Sequence, residues 1–188
     1  MRSDALRNRL RILEAAETVF AEGGTAAPID DVAARAGVGV GTVYRHFPTK
    51  RALLEAIVRH HVDEIVDATD GAEGDPEAFF RFVERMVSVA GSHRELAEEL
   101  ALFGECGEEA LAFKADLTER LDRRLACLLA AAQTSGAVRA DVTVEDVHAL
   151  IGGTCVVAGS GGSSPERLAA IIADGLRGGP PRGAAPTG

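Results

Sequence analysis

Aromatic residues are scarce in this chain, and their scarcity limits the possible folds. The 188 residues include no tryptophan and one tyrosine, and aromatic residues together make up 4% of the sequence. Strands favour aromatic and β-branched residues, whereas alanine, leucine, arginine and glutamate, which are abundant here, favour helices. We therefore expect an all-α fold.

Long apolar runs are also missing. No segment reaches the roughly 18 uninterrupted apolar residues of a membrane-spanning helix. The opening stretch, MRSDALRNRLR, is charged and no apolar run follows it. The sequence thus predicts a cytoplasmic protein that has no membrane partner and is not exported.

Cysteine is rare as well. Cys106, Cys127 and Cys155 are too far apart for the spacing of metal ligands, and three is an odd number for disulfides. Free cysteine commonly behaves as a small core residue, so we expect all three to be buried and reduced. A redox sensor is the alternative interpretation.

The sequence contains none of the short motifs that announce catalysis. There is no glycine-rich phosphate loop, no GxSxG, no HExxH and no CxxC. Carboxylate pairs such as Glu98 and Glu99 have the spacing of a solvated helix surface. We expect neither an enzyme nor a cofactor or metal site.

Charge is distributed unevenly along the chain. The net charge is -9, with 20 basic and 29 acidic residues. Residues 1–51 hold eight of the basic and six of the acidic residues, a net charge of +2, which leaves 12 basic and 23 acidic residues, or -11, for 52–188. A mildly basic head on an acidic body is typical of a protein in which only the head meets nucleic acid.

Residues 29–50 (IDDVAARAGVGVGTVYRHFPTK) have the pattern of two short helices joined by a turn. Apolar residues recur at helical spacing from Ile29 to Ala36. The glycines of 37–39 interrupt this pattern, and a second helix is predicted over 40–47. Two short helices joined by a glycine-containing turn are the geometry that places the second helix in the major groove of DNA.

The run AARAGVGVGTVYRHFPTKRALLEAI resembles the DNA-binding signature of the TetR family of bacterial transcriptional regulators. The AGV turn, the GTVYRHF recognition helix and the FPTK segment follow one another in the family's order and spacing. The resemblance implies an all-α homodimer of about nine helices. It also implies a three-helix helix-turn-helix DNA-binding domain at 1–48 and a ligand-binding and dimerisation domain at 49–177. The glycine- and proline-rich composition of 178–188 predicts a disordered tail.

Side-chain chemistry suggests roles within the predicted recognition helix. Gly41 lets the backbone approach DNA closely, and Arg45 suits the O6 and N7 atoms of guanine. Lys50, beside the predicted N-cap Thr49, suits a phosphate, whereas Tyr44 either contacts a phosphate or packs inside the head. The predicted DNA-binding residues are Gly41, Thr42, Tyr44, Arg45, His46 and Lys50.

The sequence departs from the family pattern at two helix starts. Pro28 and Gly39 stand where the family commonly has a hydroxyl residue that caps the helix. Binding to DNA phosphates is therefore expected to depend more on the remaining predicted contacts. Arg2, Arg7 and Arg11 can also reach the DNA backbone, with a solvated face as the alternative.

Apolar periodicity predicts further helices around this motif. The first buries Leu6 and Leu10 among other residues, and a later one begins its apolar stripe at Leu111. Thr143 and Asp146 resemble a capping box. The predicted helices span 4–22, 49–68, 77–91, 92–103, 108–134, 144–157 and 165–176.

Apolar faces in the body can form either a plain core or a ligand cavity. His61 falls on the apolar stripe of the fourth helix, where a histidine is more often a satisfied core residue than a ligand contact. Phenylalanine, methionine and small residues leave room for an apolar or aromatic effector. The candidate effector-binding residues are His61, Phe82, Met86, Leu100, Phe103 and Leu121.

The last two predicted helices have wide apolar faces and few charges, which suggests an interface. The family pairs its last two helices with those of a second copy. The candidate dimer-interface residues are Val147, Leu150, Ile151, Leu168, Ile171 and Ile172.

These observations predict a ligand-responsive transcriptional regulator. By the family resemblance it is a repressor that binds a palindromic operator in double-stranded DNA as a homodimer and is released by a small-molecule effector. The alternative is a helical interaction protein that acts through a protein partner without sequence-specific DNA binding.

Overall fold

A computed structural model describes residues 2–92, 108–158 and 164–178. Within these ranges the regular elements are all α-helices, apart from an isolated bridge between Val138 and Arg177. The predicted all-α fold is therefore confirmed. Most of the expected helix at 92–103 and of the expected tail at 178–188 lies outside the described residues. The helices are α1 (Arg2–Gly23), α2 (Ile29–Ala36), α3 (Val40–His46), α4 (Lys50–Asp67), α5 (Ala78–Ser92), α6 (Glu108–Thr134), α7 (Val144–Ala158) and α8 (Pro165–Leu176).

The described residues form two compact units whose boundaries fall inside α4 and α6. The first unit contains 2–64 and 108–117, and the second contains 65–92, 118–158 and 164–178. Most of α4 therefore packs with the three preceding helices. The predicted domain boundary just before α4 stays a prediction.

The core of the first unit joins one face each of α1, α2, α3 and α4. Helices α2 and α3 are 8 and 7 residues long, and isolated helices of this length are unstable in water. They persist because their apolar faces pack on the longer helices. The central residues of this core are Ile12, Ala16, Phe20, Val32, Val43, Phe47, Leu54 and Ile57.

Three leucines that were predicted to be buried lie on the surface. Leu6, Leu10 and Leu111 are 60%, 39% and 64% exposed. Helix α1 has 22 residues, a length of about 33 Å, so it is much longer than the short helices on which it packs. Its buried face begins only at Ile12, and that of α6 only at Leu117.

The expectation of three buried cysteines is wrong for Cys127, which is exposed. Cys127 lies on α6 between the buried Leu125 and Leu128, on the side of the helix that faces away from the core. The side chains of Cys106 and Cys155 lie outside the described residues.

The core of the second unit joins α5, α6, α7 and α8. Phe79 and Phe80 pack edge to face, with ring centroids 5.3 Å apart. The guanidinium carbon of Arg177 lies 4.2 Å from the centroid of Phe80, and its nitrogens donate to both carboxylate oxygens of Glu77 at 2.8 and 3.0 Å. The end of α8 is thereby held against the start of α5.

The predicted capping box at the start of α7 is confirmed. The amide of Asp146 donates to the Thr143 hydroxyl at 3.2 Å, and the amide of Thr143 donates to the Asp146 carboxylate at 2.9 Å. These reciprocal bonds satisfy two amides at the helix start.

Residues 2–92, 108–158 and 164–178 contain neither a candidate membrane span nor a candidate metal site. No helix in them is long and apolar enough to cross a membrane. No group of three or more histidine, cysteine, aspartate or glutamate side chains in them is arranged to hold a metal ion.

Candidate nucleic-acid interface

The turn between α2 and α3 is set by Gly37. Its φ of 65° lies in the left-handed region, which glycine adopts without the steric cost that a Cβ imposes. The amides of Gly37 and Val38 donate to the carbonyls of Ala34 and Ala33 at 3.1 and 3.0 Å. This pair of bonds is a Schellman motif, and it ends α2 and redirects the chain into α3.

Arg11 of α1 completes this turn. Its Nη2 donates to the carbonyl of Ala36 at 2.7 Å, where the negative end of the α2 dipole favours a cation. The same nitrogen lies 3.1 Å from the place of a Cβ at Gly37. Arg11 is exposed, and its bond to Ala36 leaves further guanidinium donors, so its predicted contact with the DNA backbone stays a prediction.

Helix α3 has one buried and one open side. Val43 and Phe47 are almost fully buried, and the guanidinium carbon of Arg9 lies 4.5 Å from the Phe47 ring centroid. Tyr44 is 47% exposed, so the alternative that its ring packs in the core is wrong. Arg45 is exposed beside it.

The open side of α3 is uncrowded. A Cβ added at Gly39 or Gly41 would meet no atom within 4 Å, so packing against the described residues does not explain a glycine at either position. In the described part of the chain Arg45 has no hydrogen bond or ion pair. Gly41, Tyr44 and Arg45 are exposed on this side of α3. Thr42 and His46, which were also predicted to bind DNA, are half-buried beside them.

The starts of α2 and α3 lack side-chain caps, as predicted. Pro28 and Gly39 are the N-cap residues and neither makes a side-chain capping bond. At the start of α4, by contrast, the Thr49 hydroxyl accepts from the Ala52 amide at 3.0 Å. The predicted N-cap role of Thr49 is confirmed.

Lys50 is engaged within the head. Its Nζ donates to the carbonyl of Ala27 at 2.8 Å and lies 5.5 Å from the centroid of the Phe20 ring. An ammonium has three donors, so two remain after this bond. Lys50 thus joins the α1–α2 loop to the start of α4 while it keeps the capacity to contact an anion.

The candidate effector residues do not come together at one site. The second unit contains a cavity of about 550 Å³, which we call the α5 cavity, and Phe82 is in its wall whereas Met86 and Leu121 pack against the core. His61 lies in the first unit, and Leu100 and Phe103 lie outside the described residues. The α5 cavity is lined by Ile65, Ala68, Thr69, Arg81, Phe82, Glu84, Arg85, Ser88, Glu166 and Ala169.

The polar residues of the α5 cavity are not among the predicted effector contacts, because the apolar stripes in the sequence do not include them. Arg81 and Arg85 are four residues apart on α5, as are Glu84 and Ser88, which places each pair on one side of the helix. Their spacing was the signal that could have identified a mixed wall.

The candidate dimer residues divide into buried and exposed sets. Val147 and Ile151 are buried in the core of their own unit, whereas Leu150 and Ile171 are 40% and 56% exposed. Leu168 and Ile172 are half-buried. Of the six, Leu150 and Ile171 therefore have the most surface available to a second chain.

Two protein families match different parts of the chain, and both are described as regulators. Residues 12–57 match the family described as bacterial regulatory proteins, tetR family. Residues 75–178 match the family described as transcriptional regulator SbtR-like, C-terminal domain.

Two solved structures cover nearly the whole chain. A TetR transcription regulatory protein from Mycobacterium vanbaalenii is 41% identical, with a TM-score of 0.73, and the alignment covers 94% of this chain and 98% of that one. A TetR transcriptional regulator from Streptomyces coelicolor is 31% identical, also with a TM-score of 0.73, and covers 92% of this chain and 99% of its own.

Curated relatives match over shorter stretches. The HTH-type transcriptional repressor LfrR of Mycolicibacterium smegmatis is 36% identical over 117 residues, which are 56% of this chain and 61% of LfrR. The HTH-type transcriptional activator FasR of the same species is 38% identical over 88 residues, 40% of each chain. The chain thus spans less than two thirds of the length of these relatives.

Alanine substitutions at two glycines distinguish the structural role of the turn from that of the open side of α3. We expect Gly37→Ala to lower the free energy of unfolding by about 1–2 kcal/mol, because a Cβ is strained in the left-handed region. Gly41→Ala should be neutral or stabilising by up to about 1 kcal/mol, since alanine favours helix. Denaturant unfolding of both variants measures this, and equal losses would contradict the assigned role of Gly37.

Proposed function

This chain belongs to the TetR family of bacterial transcriptional regulators, and on that premise we propose that it is a cytoplasmic, ligand-responsive regulator of transcription. Its partner is double-stranded operator DNA, read by a domain at 1–48, while residues 49–177 bind the effector and a second copy. The observation that carries the proposal is the open side of α3, where Arg45 is exposed and unpaired within the described residues.

In the proposed complex α3 lies in the major groove. Arg45 donates to the O6 and N7 atoms of a guanine, and the phenol of Tyr44 and the ring of His46 reach phosphates on either side. Gly41 and Gly39 allow the backbone to approach, since no side chain there keeps the DNA away. Lys50 contacts a phosphate with the donors that its bond to Ala27 leaves over.

Arg45→Ala and Lys50→Ala should affect DNA binding differently. Arg45→Ala should weaken the cognate site by about 1–3 kcal/mol and relax discrimination at one position in each half-site. Lys50→Ala should weaken all sequences alike and reduce the slope of log affinity against log salt by about 1. Fluorescence anisotropy with a fragment of the DNA upstream of the protein's own coding sequence measures both.

The matched control is Arg123→Ala, which removes an exposed arginine of α6 that is 3.8 Å from Glu119. It should leave affinity and salt slope unchanged. If Arg45→Ala and Lys50→Ala behave like this control while the wild-type protein binds the fragment, α3 is not the reading helix. If the wild-type protein shows no sequence preference, the alternative of an interaction protein without sequence-specific DNA binding is favoured.

A homodimer is proposed from the surfaces of α7 and α8. Leu150 and Ile171 expose large apolar side chains, and burial of such a surface against an identical one is the common route to a twofold-symmetric dimer. Two heads related by that symmetry would read the two half-sites of a palindrome.

Ile171→Glu should dissociate the dimer. A carboxylate in an apolar contact loses its hydration without gaining a partner, so the dimer dissociation constant should rise more than about tenfold. Sedimentation velocity measures the change. The control is Leu111→Glu, on an equally exposed leucine of α6, which should leave the dimer intact; dissociation by both variants, or by neither, would contradict the assignment.

The effector is proposed to bind in the α5 cavity. Phe82, Ile65 and Ala169 supply an apolar wall, while Arg81, Glu84, Arg85 and Glu166 supply charges of both signs. Such a wall suits an effector with an apolar or aromatic body and a polar or charged group, rather than a purely apolar molecule.

Filling the α5 cavity should prevent it from taking up a small molecule. We expect the wild-type protein to enhance the fluorescence of anilinonaphthalene sulfonate, a probe with an aromatic body and an anionic group. Ala68→Phe, in the exposed rim of the cavity, should reduce this enhancement. Ala126→Phe, on the exposed side of α6, is the control, and equal fluorescence of the two variants would count against the cavity as the site.

Of the two curated relatives named above, the one with the longer match favours repression over activation. LfrR, a repressor, matches over 117 residues, whereas FasR, an activator, matches over 88. In the proposed mechanism the effector binds better to a conformation whose heads no longer fit the operator. The extent of release is limited by that difference in affinity.

A further inference from the structure

A cluster of acidic and imidazole side chains joins α1 to α4 within the first unit. Nε2 of His61 lies 3.4 Å from Oε1 of Glu17 on α1, and Nδ1 lies 3.6 Å from Oε2 of Glu64 on α4. His60, the preceding residue, has its Nε2 4.0 Å from Oε1 of Glu64. Both ring nitrogens of His61 therefore face a carboxylate.

Only the protonated ring can donate to both carboxylates. A neutral imidazole has one donor and one acceptor nitrogen, so one of its two neighbours would meet a lone pair. The distances of 3.4 and 3.6 Å exceed those of good N–H···O hydrogen bonds. A small approach of α1 towards α4 would shorten the distance between His61 and Glu17. The arrangement suits an imidazolium that bridges the two helices.

Glu17 has few other ways to be stabilised. Its Oε1 is buried and accepts no hydrogen bond from the residues that the structure describes. Burial raises the pKa of Glu17, charge at His60 opposes this, and Glu64 and Glu14 add to it. A raised pKa means that the folded state holds a proton more tightly than the unfolded state, so its contribution to stability is lost as the pH rises through the raised pKa.

The charged pair that α6 forms with α4 does not supply a cation to Glu17. On α6, Asp116 accepts from Nη1 of Arg59 at 2.9 Å, and the guanidinium carbon of Arg59 lies 5.1 Å from the Phe113 ring centroid. Asp63 adds a further negative charge on α4. Among these described neighbours of Glu17 and His61, the cations are His60 and the paired Arg59, and the other charged groups are acidic.

We propose that one proton shared between Glu17 and His61 holds α1 against α4, so that the packing of the head depends on pH. Helix α1 also carries Arg9, which stacks on Phe47 of the α3–α4 segment, and Arg11, which ends α2. Loss of the proton leaves a buried carboxylate against a neutral ring, loosens α1 and thereby releases both arginine contacts. The effect on DNA affinity rests on the proposed function, whereas the effect on head packing does not.

The first test follows unfolding of the full chain as the pH rises from the ordinary glutamate pKa of about 4.3 to about pH 8, because the pKa of Glu17 is raised. The wild-type unfolding constant should rise with pH by up to about tenfold per unit across the transition. Glu17→Gln, which keeps the shape of the protonated acid, should flatten this rise. Glu22→Gln, at the exposed end of α1, should follow the wild type; parallel profiles for wild type and Glu17→Gln would overturn the proposal.

The second test needs no variant of Glu17. The carboxyl carbon resonance of Glu17, followed by NMR, should titrate at a higher pH in His61→Gln than in the wild type, because the neighbouring cation is gone. An unchanged midpoint would overturn the proposal. The affinity for the upstream DNA fragment should fall as the pH rises, in parallel with the stability of the head. Absence of DNA binding at every pH would contradict the proposed function. The unfolding and NMR results would still show whether Glu17 and His61 share a proton.

Discussion

The helix-turn-helix depends on one backbone conformation, the left-handed Gly37, and on the arginine that reaches it. Helices α2 and α3 are too short to be stable alone, so their relative direction is fixed by the turn and by packing on α1 and α4. The Schellman bonds at Gly37 and Val38 satisfy two carbonyls of α2, and Arg11 satisfies that of Ala36. The position of α3 is thus set from α1, outside the motif itself.

Several cations of the head contact other groups of the head. Arg9, Arg11 and Lys50 contact rings or carbonyls, and Arg35 and Arg51 pair with carboxylates, and these contacts stabilise the fold. Arg45 lies outside on α3 and has no partner in the described part of the chain. The net basic charge of residues 1–51 therefore overstates the charge that is immediately free to meet phosphate, and most of the specificity is expected from one side chain.

Much of the head could be predicted from sequence because its signals are local. The periodicity of α2, the glycine turn and the N-cap Thr49 each depend on residues a few positions apart. The same holds for the capping box of Thr143 and Asp146 in the second unit. Contacts between distant segments could not be read in this way. The surface positions of Leu6 and Leu10 follow from the length of α1 relative to the short helices on which it packs. The bond of Arg11 to Ala36 spans 25 residues.

Arg45 on α3 is proposed to read a guanine in each half-site of an operator. Methylation interference tests it most directly, because a methyl group at guanine N7 blocks a bidentate arginine contact without changing the phosphates. With the wild-type protein and the upstream fragment, methylation of symmetry-related guanines should abolish binding. With Arg45→Ala, methylation of the same guanines should have no effect on the residual binding. Equal interference with both proteins would contradict the account.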